Sequence, residues 1–303
     1  MDGIPATMPD GQSTLDHLDL TSLGRAEVLR GPASALYGNA AGGVLVLDTD
    51  LPEPGPLHPV VRLVTGSDGL LDAGIGLRGW AGRTAVRVDA RHLDYAGFRA
   101  DPSDPGGDGY GSADRELLNA QALTPLAGGS LRLTLNAVAL AAENPGSLPR
   151  DSLSVDSRPA WGGNVAQGTR KDVDQAQLGA VWTGPVAGGR AEVAAWALGR
   201  SVSNPIPPSV IDLDRRAGGF RALWGSEGGS GDAERSRLAF GGGLELDLQR
   251  DDRRNFVNDG GSAGALTLDQ LERVRGLGGF VRAGLRASER VRVTGALRYD
   301  RFR

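Results

Sequence analysis

Apolar and polar residues alternate along most of the chain from residue 59 onward. The period of two places successive side chains on opposite faces of a β-strand. The clearest stretch runs from Leu131 to Ala137, where apolar residues alternate with Arg132, Thr134 and Asn136. The alternation predicts about eleven antiparallel strands, near residues 59–67, 69–79, 83–95, 115–125, 131–142, 173–184, 190–200, 218–224, 234–249, 274–286 and 291–302.

Short and long connections take turns between these strands. This is the arrangement of an up-and-down barrel in an outer membrane, with tight periplasmic turns and long external loops. A soluble sandwich would alternate as well, but its strands average about five or six residues, whereas a spanning strand needs about 9–11. We therefore favour the barrel. The predicted short connections are 80–83, 126–130, 186–190, 225–232 and 287–290, and the long ones are 97–114, 143–172, 201–219 and 250–273.

The first part of the chain has a different texture. Residues 26–29 form a short apolar run that predicts a strand, and a Pro-initiated helix is predicted over 32–37, closed by Gly38. A glycine-rich turn over 39–43 leads into the continuous apolar run 44–47, which predicts a strand buried on both faces.

A proline-rich linker, Leu51–Pro56, separates this unit from the alternating strands. We therefore divide the chain into residues 1–55 and residues 56–303. The net charge of −4 argues against nucleic acid as a partner. Cysteine is absent, which excludes a disulfide framework or a thiolate metal site.

The segment around residues 24–49 resembles the end of the plug domain of TonB-dependent outer-membrane receptors. The departures from the family pattern are Gly24, Ala26 and Val46, and Asp2-Gly3 resembles the family's upstream Asp-Gly segment. The matching residues are Arg25, Glu27, Val28, Leu29, Arg30, Gly31, Pro32, Ser34, Leu36, Tyr37, Gly38, Gly42, Gly43, Val44 and Thr49.

This resemblance implies an all-β antiparallel transmembrane barrel with part of an N-terminal α/β plug domain. The plugged transporters have 22 strands, so about eleven would be half a barrel. We expect a piece of a longer receptor in the outer membrane of a Gram-negative bacterium. It would take up a scarce ligand, with a ferric siderophore the first expectation, in contact with outer-membrane lipid and the TonB–ExbB–ExbD complex. Neither catalysis nor a cofactor is expected.

Two alternatives stay open at this point. A non-transporting outer-membrane barrel, such as an adhesin or a porin-like protein, would share the strand pattern without needing the plug motif. A degenerate receptor fragment would share both.

The resemblance also implies site residues. Plug arginines of the family pair with barrel glutamates, so Arg30 is the main candidate for a plug–barrel contact and Arg25 the second. Local pairing of Arg30 with Glu27 is the simpler alternative. Glu245 is the candidate barrel partner, and Asp10 and Gln12 are candidates for ligand contact at the plug apex.

Other motifs are read as structural. Gly74–Gly79 fits the glycine spacing of a dinucleotide site, but a strand follows it instead of a helix. His17, His58 and His92 lack metal-ligand spacing. The aspartates of one loop lack the spacing of a calcium-binding loop and are interpreted as solvated; they are Asp101, Asp104, Asp108 and Asp114.

Overall fold

The structure is a computed structural model that describes residues 1–12, 15–30, 38, 43–104, 109–226, 238–288 and 290–303. The described residues form two β-sheets, one of two strands and one of eleven. The smaller sheet lies within the first 50 residues, and the larger one comprises the strands that follow the linker.

The small sheet pairs β1 (Leu23–Leu29) with β2 (Val44–Thr49) in antiparallel fashion. A short 3₁₀ helix, Leu20–Ser22, precedes β1. Both strands were predicted, but the expectation that residues 44–47 are buried on both faces is wrong. Leu47 is buried, but Leu45, two residues away on the same face, is 49% exposed, and Val44 and Val46 on the other face are only partly buried. The predicted helix over 32–37 lies outside the described residues.

The large sheet contains eleven strands in sequential antiparallel order, which confirms the predicted strand number and the antiparallel all-β class. Its edge strands, the first and the last, are not paired with each other, so the sheet is open. The strands are β3 (His58–Thr65), β4 (Leu71–Ala81), β5 (Thr84–Tyr95), β6 (Ala113–Leu126), β7 (Gly129–Glu143), β8 (Arg170–Val186), β9 (Gly189–Ile206), β10 (Ser209–Gly225), β11 (Leu238–Asp259), β12 (Ser262–Arg286) and β13 (Arg292–Phe302).

The alternation sets two chemically different faces on this sheet. On β11, Leu244, Leu246 and Leu248 are 65%, 41% and 47% exposed on the outward face. The residues between them point inward, and the inward side chains Gln249 and Asp251 are buried. The apolar face therefore points away from the first part of the chain, and the polar face encloses it.

Two predicted long loops are wrong. The regions 201–219 and 250–273 continue as paired strands, because β9 and β10 join at residues 207–208 and β11 and β12 at residues 260–261. Outward polar pairs carry the ladder beyond the apolar band. Ser201 donates to Asp214 over 2.7 Å and Ser203 donates to Asp212 over 2.8 Å. Cross-strand polar pairs of this kind stabilise a sheet without needing an apolar face.

The predicted short turns between β6 and β7 and between β8 and β9 are present. Each places an alanine and a glycine at positive φ: Ala127 (49°) with Gly128 (74°), and Ala187 (49°) with Gly188 (72°). Two consecutive residues at positive φ form the hairpin turn whose twist matches that of the strands. These turns define one end of the sheet, here called the turn side.

The opposite end, here called the loop side, carries the long connections at 96–112 and 144–169. The second contains α1 (Arg150–Val155) and α2 (Gly162–Ala166). The two loops are joined at their bases, where the Tyr110 hydroxyl donates to the Thr169 carbonyl over 3.1 Å. Within the described ranges, no helix is both long and apolar enough to cross a membrane.

Candidate functional site

The segment 1–22 lies across the polar face of the large sheet, here called the wall. Four of its aspartates contact basic side chains of the wall. In every one of these contacts the first part of the chain, residues 1–55 and here called the plug, supplies the acid and the wall supplies the base. They are Asp2–Arg132 at 2.6 Å, Asp10–Arg215 at 2.6 Å, Asp16–Lys171 at 2.5 Å and Asp19–Arg91 at 2.5 Å.

The Asp10 contact is centred on an arginine that the wall already neutralises. Arg215 binds Asp251 through two hydrogen bonds, Nε to Oδ1 at 2.9 Å and Nη2 to Oδ2 at 2.7 Å. Its Nη2 also donates to Asp10, and the Gln249 side chain donates to the same carboxylate over 3.1 Å. Asp251 is 1% exposed and Arg215 is 4% exposed, whereas Asp10 is 20% exposed. The partly exposed Asp10 carboxylate therefore binds to an ion pair, Arg215–Asp251, that is buried in the wall.

The Asp2 contact is more deeply buried. Its carboxylate is inaccessible to solvent and accepts hydrogen bonds from the backbone N–H and hydroxyl of Thr49, both over 2.8 Å. Gln121 and Arg132 of the wall also donate to it. One side chain thus joins the first residues of the chain, the small sheet and strands β6 and β7.

The Asp19 contact combines a helix cap with an ion pair. Asp19 accepts from the Thr21 backbone N–H over 3.0 Å, which caps the 3₁₀ helix. Arg91 bridges this carboxylate and Asp72 of the wall. Burial by itself would raise the pKa of Asp19, but the hydrogen bonds from Thr21 and the charge of Arg91 outweigh it and lower that pKa. The group is therefore held as a carboxylate.

Apolar contacts and hydrogen bonds to the backbone complete the interface between plug and wall, here called the seam. Ile4 packs in a small buried cluster with Val181 and Ala194 of the wall. Other contacts reach backbone carbonyls of the first 55 residues: Arg221 donates to Gly3 (2.7 Å), Gln177 to Pro5 (3.0 Å), Arg87 to Asp50 (2.9 Å) and Trp80 to Pro52 (3.0 Å).

The motif residues predicted as the plug–barrel contact have a different placement. Arg25 pairs within the small sheet, with Glu27 and, at 3.9 Å, with Asp48. Arg30 is exposed and forms no ion pair with any described residue. Gly43, the last residue of the predicted glycine-rich turn, has a φ of 126°. Gly31, Pro32, Ser34, Tyr37 and Gly42 lie outside the described residues.

Glu245 does lie at the plug–wall boundary, but beside another plug residue. Its carboxylate binds Arg298 of β13 at 2.8 Å. A Cβ built on Gly38 would lie 2.6 Å from Arg298 Nη2 and 3.4 Å from Glu245 Oε2. The plug backbone therefore passes directly over this wall pair at Gly38, a position where a side chain would collide with the guanidinium.

The two residues predicted at the plug apex occupy a tight turn. Met8 donates its N–H to the Gln12 carbonyl over 2.7 Å. Asp10 faces the wall, while Gln12 is exposed and donates its backbone N–H to Asp10 over 3.0 Å. Their contact with a ligand stays a prediction.

This seam is polar, with few buried apolar contacts. A buried ion pair gains little net energy, because the cost of desolvating both charges offsets most of their attraction. When water enters, each group recovers its hydration, so such a seam holds position yet can open. The described residues include no cluster of three or more His, Asp or Glu side chains suited to a metal ion.

Comparison with known proteins agrees with this arrangement. Residues 1–44 match the model of the TonB-dependent Receptor Plug Domain. The fold is similar to that of the ferric yersiniabactin uptake receptor FyuA from Yersinia pestis, with a TM-score of 0.70 and 15% identity over 91% of this chain and 44% of that one.

Two further solved structures share the fold. The pyoverdine outer membrane receptor FpvA from Pseudomonas aeruginosa PAO1 has a TM-score of 0.71 and 14% identity, over 94% of this chain and 46% of that one. The copper transporter OprC has a TM-score of 0.65 and 16% identity, over 93% of this chain and 42% of that one. The chain thus spans less than half the length of these proteins. It combines a segment that matches the plug-domain model of TonB-dependent receptors with a wall whose fold is similar to that of these solved structures.

Proposed function

We propose that this chain is part of an outer-membrane receptor that imports a scarce ligand, with a ferric siderophore as the first candidate. The observation that carries the proposal is the plug segment seated on the polar face of the wall through four acid–base contacts. A segment held in this way blocks the interior of a barrel. It can also be displaced without unfolding the wall, because the wall strands are paired with one another.

The ligand class rests on the neighbours. Two of them are named for ferric yersiniabactin and pyoverdine and a third for copper. Loops 96–112 and 144–169 form the loop side of the wall, where an external ligand would arrive first. Energy for displacing the plug would come from the TonB–ExbB–ExbD complex of the inner membrane, acting across the periplasm of a Gram-negative bacterium. The proposal involves transport without a chemical reaction.

The plug–barrel role of the motif from Arg25 to Gly43 is part of the same proposal. Arg30 is exposed and adjoins residues outside the described ranges. We propose that it meets a barrel carboxylate during seating or release of the plug. The Arg298–Glu245 pair is a candidate for this meeting, because Gly38 of the motif lies against it.

The test is uptake of radioactive iron by cells that carry or lack the gene encoding this chain, together with any in-frame sequence that adjoins it. Individual ferric siderophores are supplied under iron limitation. The proposal predicts that deletion abolishes uptake of at least one chelate, that the gene restores it, and that removal of TonB abolishes it again. Uptake that continues without TonB would favour a porin-like barrel. If no chelate depends on the gene, the proposed function is wrong.

A further inference from the structure

Six uncharged polar side chains form a patch on the inward face of strands β6, β7 and β8, here called the amide patch. Asn119 is the register partner of Asn136, and Asn136 is the partner of Gln177, so three amides stand in one row across the three strands. All six side chains belong to residues that are between 4% and 7% exposed. The members are Asn119, Gln121, Thr134, Asn136, Gln175 and Gln177.

The plug covers this patch. Gln121 donates to the Asp2 carboxylate, and Gln177 donates to the Pro5 carbonyl over 3.0 Å. Residues 2–5 therefore lie over the amides, which explains their burial on a face that would otherwise line the interior of a barrel. A molecule from solution can reach the patch only when the plug moves.

Several polar atoms of the patch have no hydrogen-bond partner among the described residues. Both the Oδ1 and the Nδ2 of Asn119 are buried without one. The same holds for Gln121 Oε1, the Thr134 hydroxyl and Gln175 Nε2. A buried polar group without a partner destabilises the folded state, and native structures contain few of them. Their concentration in one patch indicates groups that find their partners when the plug is displaced.

The patch carries no charge, and the charged residues that border it are already engaged. On β5 the neighbours Arg87 and Asp89 pair with each other at 2.6 Å. On β9 the neighbour Arg200 donates to Gln175 over 3.0 Å. A side-chain amide offers an acceptor oxygen and two donor hydrogens without a net charge. The patch can therefore bind carbonyl, amide and hydroxyl groups without holding an anion or a cation.

We propose that the amide patch is a ligand-binding site inside the barrel, covered by the seated plug and opened when the plug moves, and that it takes ligands rich in amide, hydroxamate or hydroxyl groups. Such a ligand carries the acceptors and donors that the unpartnered atoms lack. The patch lies midway along its three strands, so it contacts the ligand during passage and not at capture on the loop side. The inference rests on the proposed function, because a patch that stays covered binds nothing.

The test replaces the two central amides in the variant Asn119→Leu/Asn136→Leu. Neither side chain bonds to a described residue of the plug, so the change removes none of the plug's described anchors. The rescue variant, Asn119→Ser/Asn136→Ser, keeps a donor and an acceptor at each position. The matched control, Ala120→Leu/Ala137→Leu, places the same two leucines on the outward face of the same strands.

Two measurements are made on each variant. The first is uptake of radioactive ferrioxamine B, a chelate with hydroxamate and amide groups, by cells that carry the gene with any in-frame sequence that adjoins it. Cells without the gene give the background. The second is hydrogen exchange of residues 1–12, which reports how firmly the plug is seated.

We expect the leucine variant to take up ferrioxamine B at least about fivefold more slowly than wild type, as the loss of one net hydrogen bond during passage predicts. The serine variant should regain most of the uptake, and the outward control should match wild type. Hydrogen exchange of residues 1–12 should be unchanged or slower in the leucine variant. Adding Asp10→Asn, which weakens one anchor of the plug, should not restore its uptake.

Three results would overturn the inference. Uptake by the leucine variant at the wild-type rate would show that the ligand does not use the amides. Recovery of uptake with Asp10→Asn would show that the amides act only on plug release, and faster exchange of residues 1–12 would show that they hold the plug through ordered water. A wild type that takes up other chelates but not ferrioxamine B refutes this inference alone, whereas one that takes up no chelate refutes the proposed function as well.

Discussion

Asp10 and Arg215 share one contact, yet their replacement should have different consequences. Asp10→Asn removes the plug's charge and leaves Arg215 bound to Asp251 by two hydrogen bonds. Arg215→Met removes the cation from both carboxylates. Because Asp251 is 1% exposed, the second change leaves a buried carboxylate without a cation, held only by the hydrogen bond from Gln249, whereas Asp10 at 20% exposure can recover some hydration.

The magnitudes separate the two variants. A hydrogen bond to a charged group contributes about 1.5–3 kcal/mol, and the asparagine keeps an oxygen that can still accept, so Asp10→Asn should weaken plug seating by about 1–2 kcal/mol. Leaving the buried Asp251 carboxylate without its cation should cost about 3–5 kcal/mol. The larger cost should also affect the wall itself, because Asp251 and Arg215 join β11 to β10.

Hydrogen exchange followed by mass spectrometry measures both effects. For Asp10→Asn we expect amides of residues 1–12 to exchange about 5–30-fold faster, the factor that corresponds to 1–2 kcal/mol. Strands β10 and β11 should be unchanged. For Arg215→Met, both the segment and the two strands should lose protection. If Asp10→Asn leaves the first twelve residues as protected as in wild type, or exposes the strands equally, the assignment of this contact to plug seating is wrong.

Three other changes test separate parts of the structure. Burial, with Arg200 nearby, lowers the pKa of His17 from 6.5 to about 4. As the pH drops from 6.5 to 4, His17 therefore takes up a proton in the released segment but not in the seated one. The urea midpoint of plug release should fall over this pH range. His17→Gln should flatten that pH dependence, and an unchanged slope would contradict the assignment. Glu143→Ala should make loop 96–112 more sensitive to proteases, because Glu143 Oε2 accepts hydrogen bonds from the backbone N–H groups of Gly111 (2.9 Å) and Ser112 (3.1 Å). Glu143→Gln keeps an accepting oxygen and should be as resistant as wild type. An alanine variant as resistant as wild type would refute this role. Trp80→Phe removes the indole N–H that donates to the Pro52 carbonyl of the linker, and should lower the free energy of urea unfolding by about 1 kcal/mol. An unchanged free energy of unfolding would show that other contacts hold the linker.

The strand pattern was predictable because alternation reports directly on a two-faced sheet. Leu244 to Leu248 indicate both the strand and its outward face without any tertiary information. The hairpins beyond the apolar band were missed for the same reason. Around 201–219 and 250–273 outward positions carry polar residues such as Ser201, Asp214 and Asp252. The alternation of apolar outward and polar inward residues is therefore lost, although the ladder continues.

The contact residues of the plug were harder to predict. The family motif drew attention to Arg25 and Arg30, whereas in the described residues the wall-facing charges are acids of the first 22 residues. A signal did exist in the sequence. Three arginines occupy inward positions of strands in which apolar and polar residues alternate: Arg91, Arg132 and Arg215. Inward cations predict anionic partners inside the barrel. Which aspartates supply them depends on how the plug folds over the wall, and no local pattern encodes that.

The central claim is that transport requires the plug to leave the wall. The chain has no cysteine, so an engineered pair would form its only disulfide. A Cβ built on Gly179 would lie 3.7 Å from the Cβ of Ile4, within the range of about 3.5–4.5 Å that a disulfide needs.

The decisive measurement is therefore ferric chelate uptake by the Ile4→Cys/Gly179→Cys variant before and after reduction, with Ile4→Cys alone as the control. The account predicts no uptake in the oxidised double variant and its recovery on reduction, with the control active in both states. Uptake by the oxidised double variant at the wild-type rate would show that the ligand passes without displacing the plug at this contact, and would contradict the account.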